Sequence, residues 1–226
     1  MRTRLVRAVL ASLLTLVAAG SASAQAAGMP VVNSGIVNGI GIALDAGIPN
    51  NAAGGGWAAG ATVKAGFGVL GVNGTVSRFN PDSSDAVWSG GATANMKVFG
   101  GPLIPIAITL QGGAGYVSKD FGCLPGVTAC DITQWHFPVG LGVSFTIPNP
   151  ALAIKPWIAP RVDVLRTSAA GEDAETDAGF GVSGGVELNL LNGMGFQVAY
   201  DWSKHDDLKP GIFAAGFHYT FRVPGL

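Results

Sequence analysis

Strict alternation of large apolar residues in the last two segments of the chain limits the folds that it can adopt. In 194–204 every second residue from Met194 to Trp202 is large and apolar, and in 211–221 the same pattern runs mainly through aromatic residues from Phe213 to Phe221. A period of two over about ten residues indicates a two-faced β-strand, because successive side chains point to opposite faces. The other face carries mainly Gly, Ala, Ser, Thr and Gln, which suits a crowded interior better than bulk water.

The same period recurs along most of the chain. It predicts about ten strands, at 36–47, 57–68, 70–79, 86–99, 104–118, 133–147, 156–168, 177–191, 194–204 and 211–222. The connections after odd-numbered strands are long and polar, whereas those after even-numbered strands are short and nearly uncharged. The last short one, Asn192-Gly193, is the strongest short hairpin signal. Transmembrane barrels have this alternation of long external loops and short periplasmic turns.

The composition indicates which face meets lipid. Only 12% of the residues are charged and 48% are hydrophobic, and that charged share is about half the share in a soluble domain. A soluble barrel would need a far more charged exterior, so the apolar face points outward and the sparse polar face lines the lumen. We therefore predict an all-β protein, an antiparallel up-and-down transmembrane β-barrel of about ten strands, with eight as the alternative count. An even count places both ends of the barrel in the periplasm.

The first 24 residues have the organisation of a secretory signal peptide. Arg2, Arg4 and Arg7 precede an apolar stretch over 8–19, and Ala22-Ser23-Ala24 forms a cleavage site. The predicted domains are the signal peptide at 1–24 and the barrel at 25–226, and an uncleaved helical anchor is the alternative. Three of the 13 Lys and Arg residues lie in this leader, which leaves 10 against 14 Asp and Glu. Such a balance gives no basic patch for nucleic acid.

Aromatic residues are sorted to the two ends of the predicted strands. One group lies beside the long connections: Trp57, Trp88, Tyr116, Trp135 and Trp202. At the opposite ends are Tyr219 and Phe221, with Phe67 and Phe145. Two aromatic belts around an apolar band are typical of barrels in lipid, because amphipathic rings settle at the headgroups.

One predicted strand, 156–168, does not fit the pattern. Pro156 and Pro160 cannot donate ladder hydrogen bonds, and Trp157 shares the parity of Arg161 and Asp163. A bulge in this strand would turn Trp157 outward.

Ionisable residues on the inward face predict a polar network in the lumen: Asp45, Lys64, Lys97, Arg161, Asp163, Glu187, Asp201 and His218. Charges inside a narrow barrel are costly unless they are paired, so we expect an internal salt-bridge network. The alternative is a selective pore lined by the same groups. In a barrel of about ten strands the side chains fill much of the middle, which favours a plugged lumen over an open one.

Candidates for catalysis lie near the predicted external rim: Asp131, His136, Asp201, Ser203, His205, Asp206 and Asp207. An imidazole beside carboxylates can act as a general base, and the alternative is a solvated acidic loop. The spacing matches no Ser/His/Asp arrangement of a lipase or protease, so we assign no catalytic residue. We expect no metal. We also expect no cofactor, because the Gly-rich stretches lack the strand–loop–helix context and the Lys-Ser/Thr of phosphate loops.

Together these residues resemble small bacterial outer-membrane β-barrel proteins. The shared features are the Ala-Ser-Ala leader, the alternating hairpins and the aromatic terminal strand 213–221, although Arg222 to Leu226 extend beyond Phe221. The resemblance implies a Gram-negative-type outer membrane, contact with its lipid and lipopolysaccharide, and insertion by the barrel assembly machinery. Our interpretation of the residues is a structural barrel or a narrow, porin-like passive pore for small solutes. A surface binding or adhesion barrel, or a rim hydrolase or acyltransferase, is the alternative.

Cys123 and Cys130, the only cysteines, are predicted to form a disulfide in the exported protein, because only six residues of a loop separate them and they meet an oxidising compartment. Metal binding is the rival interpretation. We expect the purified protein to react with iodoacetamide only after reduction, as measured by intact mass. Alkylation of both thiols without reductant would contradict the pairing.

Overall fold

Ten strands make up nearly all of the regular structure. The structure is a computed structural model that describes residues 26–101, 104–120, 131–149, 151–169 and 173–221. The strands are β1 (Gly39–Pro49), β2 (Trp57–Phe67), β3 (Leu70–Asn80), β4 (Val87–Phe99), β5 (Ile106–Asp120), β6 (Asp131–Phe145), β7 (Leu152–Ala169), β8 (Glu175–Leu190), β9 (Met194–Lys204) and β10 (Gly211–Phe221). The predicted leader at 1–24 and the cysteines Cys123 and Cys130 lie outside the described residues.

The ten strands form one closed barrel. Each strand pairs antiparallel with the next one along the chain, and β1 pairs with β10 from Ile40 opposite Phe221 to Pro49 opposite Ile212. Closure leaves no strand with an unpaired edge. The predicted antiparallel up-and-down barrel is confirmed with ten strands rather than eight. Within the described ranges, no helix has the length and hydrophobicity to cross a membrane.

The two faces of the barrel wall differ as the alternation predicts. On β2, for example, Val63 is 56% exposed, while Thr62 and Lys64 on either side are buried. On β6, Val139 is 57% exposed beside the buried Pro138. Large apolar side chains therefore cover the outside, and Gly, Ala and polar side chains face the lumen.

The Asn192-Gly193 turn joins β8 to β9 as predicted. Gly193 has a φ of 89°, a left-handed conformation that glycine adopts without steric cost. A Cβ atom at this position would also overlap the carbonyl oxygen of Thr220. The turn thus requires glycine both for its backbone conformation and for its close approach to β10.

β7 contains no bulge that would turn Trp157 outward, so the inward parity of Trp157 in the sequence holds. The register of β7 with β8 is continuous from Leu152 to Thr167, and Trp157 is 6% exposed on the luminal side. Pairing with β6 is interrupted beside Pro160 and resumes in the same register, because proline has no N–H to donate. Trp157 faces inward because it packs beside Ala159, Ala199 and Val32.

Residues 26–38, which we call the luminal segment, pass through the inside of the barrel. Gly28 lies against Gly47, near the end of β1 where the long connections are, and Val37 lies against Gly66, near a short turn. We call these the outer and the inner end of the barrel. The segment therefore runs from the outer to the inner end, and the chain then reverses into β1. The start of β1 and the end of β10 lie together at the inner end, as predicted. The chain that precedes β1, however, lies inside the lumen.

The outward face generates a prediction about depth in the membrane. Val139→Arg places a cation on the lipid side in the middle of β6, and we expect it to lower the free energy of unfolding by about 2–4 kcal/mol. Leu191→Arg, in the exposed turn after β8, is the matched control and is expected to cost about 0–1 kcal/mol. Urea unfolding in lipid vesicles measures both. Equal losses would contradict the orientation of β6.

Candidate functional site

The barrel wall has a glycine-lined path for the luminal segment. A Cβ at Gly47 would overlap the carbonyl oxygen of Gly28, and one at Gly66 would overlap that of Val37. A Cβ at Gly142 would overlap Asn33. These three glycines lie on different strands and at different depths, so the wall leaves room for a second length of chain along the barrel.

Near the outer end, two serines of the wall hold the segment by its backbone. The Ala27 N–H donates to Ser89 Oγ at 2.6 Å, and Ser77 Oγ donates to the Ala27 carbonyl at 2.8 Å. The two hydroxyls are themselves 2.8 Å apart. Ala27 packs with Met29, Ala58 and Phe79 in an apolar cluster. Both backbone groups of Ala27 are thus satisfied by side chains instead of by a strand.

Further down the lumen the wall again supplies polar side chains to the segment. The Val31 N–H donates to Asp201 Oδ2 at 2.7 Å, and Gln111 Nε2 donates to the Val32 carbonyl at 3.2 Å. Thr109 Oγ1 donates to Asn33 Oδ1 at 2.7 Å. These bonds replace the water that an extended backbone would otherwise need.

One buried ionic group, which we call the arginine cluster, consists of His136, Arg161, Asp163 and Asp201. Arg161 Nε lies 2.8 Å from Asp163 Oδ1, and Arg161 Nη2 lies 2.8 Å from Asp201 Oδ1. His136 Nε2 is 3.0 Å from the same Asp163 oxygen. Because the forked guanidinium reaches two carboxylates at once, it pairs charges that would be costly alone in the lumen.

A second polar group, which we call the glutamate cluster, consists of Lys155, Glu187, Asn189 and His218 and lies closer to the inner end. Glu187 is 3.8 Å from Lys155 Nζ and 3.9 Å from His218 Nε2. The same His218 nitrogen is 2.9 Å from Asn189 Oδ1. All of these side chains point into the lumen, beside the part of the segment that contains Gly35, where a Cβ would touch Lys155 Nζ.

Five of the eight residues predicted for the lumen network lie in these two clusters. Arg161, Asp163 and Asp201 belong to the arginine cluster, and Glu187 and His218 to the glutamate cluster. Asp45 accepts a hydrogen bond from Gln197, and buried Lys64 faces the same side of the lumen. Lys97 has no ion pair among the described residues and lies at a register shift between β4 and β5.

Two parts of the site are missing from the sequence-based prediction. Lys155 lies before the predicted strand 156–168, yet it shares the parity of Trp157 and Arg161, and that parity could have placed it. Residues 26–35 of the luminal segment show no period of two, and residues 36–38 fall in the predicted strand 36–47, whereas β1 begins at Gly39. The only signal for the segment is indirect, since the inward face of many strands is too small to fill a barrel by itself.

The rim candidates do not assemble into a catalytic relay. His205 Nδ1 lies 3.1 Å from Asp177 Oδ2, which orients the imidazole. However, His205 Nε2 and Ser203 Oγ have no hydrogen-bond partner within the described part of the chain. Asp206 and Asp207 are exposed in the turn after β9, and the side chain of Asp131 lies outside the description. No group of His, Cys, Asp and Glu among the described residues could hold a metal ion.

The aromatic residues of the two predicted belts lie at the strand ends. Trp57, Trp88, Tyr116 and Trp135 are exposed near the outer end, and Tyr116 packs against Trp135 with ring centroids 4.9 Å apart. Trp202 is half-buried. At the inner end the rings of Tyr219 and Phe221 are 4.5 Å apart, and Phe221 is exposed.

Sequence comparison assigns this barrel to a family. Residues 11–221 match the profile described as outer membrane protein beta-barrel domain. The chain belongs to this family. It is an outer-membrane protein of the Gram-negative type, which confirms the location predicted from the sequence. No curated protein matches the chain.

The chain is similar to several solved structures at low sequence identity. Ail, the attachment invasion locus protein of Yersinia pestis, is 14% identical, with 82% of this chain and 100% of that chain covered and a TM-score of 0.39. The beta domain of the Bordetella autotransporter BrkA is 13% identical, with 80% and 98% covered and a TM-score of 0.49. The outer membrane protease OmpT from Escherichia coli is 9% identical, with 81% and 94% covered and a TM-score of 0.44.

The arginine cluster generates a prediction about stability. Arg161→Met leaves two buried carboxylates without their cation, and we expect it to lower the free energy of unfolding by about 3–5 kcal/mol. Lys97→Met is the matched control, and we expect it to cost less than about 1 kcal/mol because Lys97 has no ion pair among the described residues. Urea unfolding followed by tryptophan fluorescence compares them. A loss at Arg161 no larger than that at Lys97 would show that the cluster does not stabilise the barrel.

Proposed function

We propose that the protein is a structural barrel of the outer membrane whose lumen is closed at rest, and that it is not an open passive pore. The observation that carries this proposal is the luminal segment, which runs between the two ends of the barrel. Barrels of about eight strands already fill their interior with side chains. A second length of chain inside ten strands leaves little room for water.

Burial along the segment supports a closed lumen. Val31 is fully buried, and Ala26, Met29 and Asn33 are each less than 5% exposed. Passive transport of solutes requires a continuous aqueous path with polar groups along it. Here the path is interrupted by apolar side chains of the segment and by Trp157, which packs beside Val32.

A second proposal concerns the outer end, where acidic side chains are exposed on several connections and strand ends: Asp82, Asp85, Asp173, Glu175, Asp206 and Asp207. We propose lipopolysaccharide and membrane lipid as the partners of this end. Divalent cations favour oxygen ligands and can bridge carboxylates to lipid phosphates. The aromatic belt beside these residues would sit at the headgroup level of the same leaflet.

We expect the purified wild-type barrel to give no discrete current steps in a planar lipid bilayer, because the luminal segment blocks the lumen. An open porin inserted in the same bilayer is the positive control, and a heat-modifiable shift on a gel verifies that the protein is folded. Reproducible steps from the folded wild-type protein would overturn the closed barrel and restore the passive pore.

A further inference from the structure

The luminal segment lies inside the barrel without being part of its sheet. The barrel closes through the pairing of β1 with β10, and the segment contributes no rung to that ladder. Hydrogen bonds with wall side chains hold it: Ser77 Oγ, for example, donates to the Ala27 carbonyl, and Ser89 Oγ accepts from the Ala27 N–H. The strand pairing that closes the wall therefore does not depend on the segment.

The two charge clusters of the lumen have their ion pairs within the wall itself. Arg161 is held by Asp163 and Asp201, and Glu187 is held by Lys155 and His218. The segment has no Asp, Glu, Lys or Arg between residues 26 and 38. Its departure would remove the Val31 N–H bond to Asp201 but would leave these ion pairs in place, in a lumen lined with charges of both signs.

The segment also leaves polar groups of the lumen unsatisfied. Among the described residues, the buried wall atoms without a hydrogen-bond partner include Arg161 Nη1, Asp163 Oδ2, Ser183 Oγ and Gln197 Oε1. Buried polar atoms of this kind are normally paired with protein or with water. A small cavity lined in part by Met29, Asp45 and Lys64 lies beside the segment. The wall therefore has hydrogen-bonding capacity for water that the segment does not use.

We propose that the barrel is a latent ion channel and that residues 26–38 are its built-in blocking peptide. The lumen is then a binding site for an extended, uncharged peptide, occupied by the chain's own segment, and small hydrated ions pass when that site is vacated. This goes beyond the closed barrel and rests on it in one respect, namely that the resting lumen does not conduct.

Substitutions confined to the segment test the proposal in the full-length protein. A Cβ at Gly28 would overlap Ala58 and the ring of Phe79, and its φ of 73° disfavours other residues. Gly28→Val should therefore dislodge the segment while leaving every strand unchanged. Asn38→Val is the matched control, because Asn38 is exposed at the other end of the segment. We expect Gly28→Val to give discrete current steps in planar bilayers in which wild type gives none, and Asn38→Val to stay as silent as wild type.

A second variant weakens the contact between the wall and the luminal segment without adding a larger side chain. The double substitution Ser77→Ala with Ser89→Ala removes both hydrogen bonds to Ala27, and we expect it to open the barrel less often than Gly28→Val does. If Gly28→Val lacks the heat-modifiable gel shift of a folded barrel, the current of this double variant becomes the test of the proposal. A synthetic peptide with the sequence of residues 26–38 should then reduce the current of the open variants, and a scrambled peptide should not.

The outcomes separate this proposal from the closed barrel. Folded variants that stay silent would overturn the latent channel and leave the closed barrel intact. Current steps in wild type would overturn the closed barrel instead. Open variants whose current is indifferent to the peptide would overturn the assignment of residues 26–38 as the blocking peptide.

Discussion

Every backbone N–H and C=O in the hydrocarbon region needs a partner within the protein, because lipid offers none. The pairing of β1 with β10 meets this requirement by joining the first strand to the last. Once the sheet is closed, each side chain must face either lipid or lumen, and the sequence alternates accordingly. The apolar exterior, the small interior and the paired charges are all consequences of that closure.

The closed wall also explains why ionisable residues are tolerated in so apolar a chain. Arg161 contacts two carboxylates, and His136 approaches one of them from a neighbouring strand. Pairs of this kind are weak evidence for stability, since desolvation offsets much of the attraction. Their effect is more evident in geometry, because they link β6, β7 and β9 across the lumen and place Asp201 where it receives the Val31 N–H.

The sequence was sufficient to predict what depends on period two and on turn chemistry. The ten strands, the closed antiparallel order and the Asn192-Gly193 hairpin follow from local patterns that the pleat imposes. In the sequence Trp157 has the inward parity of Arg161, but the pattern alone offers no reason for a large apolar residue in the lumen. Its inward position depends on Val32, which is over a hundred positions away in sequence and has no periodic context. The luminal segment escaped prediction for the same reason, since its contacts are tertiary and side chain to backbone.

The reversal of the chain between the luminal segment and β1 makes the segment a tethered ligand. It is covalently anchored at the inner end, beside Gly66, and free of the sheet along its length. A short tether keeps the local concentration of such a ligand on the order of millimolar. Individually modest contacts therefore suffice to keep the lumen occupied, while a free peptide of the same sequence would need a far higher affinity to compete. Occupancy is set by tether length as much as by the contacts themselves.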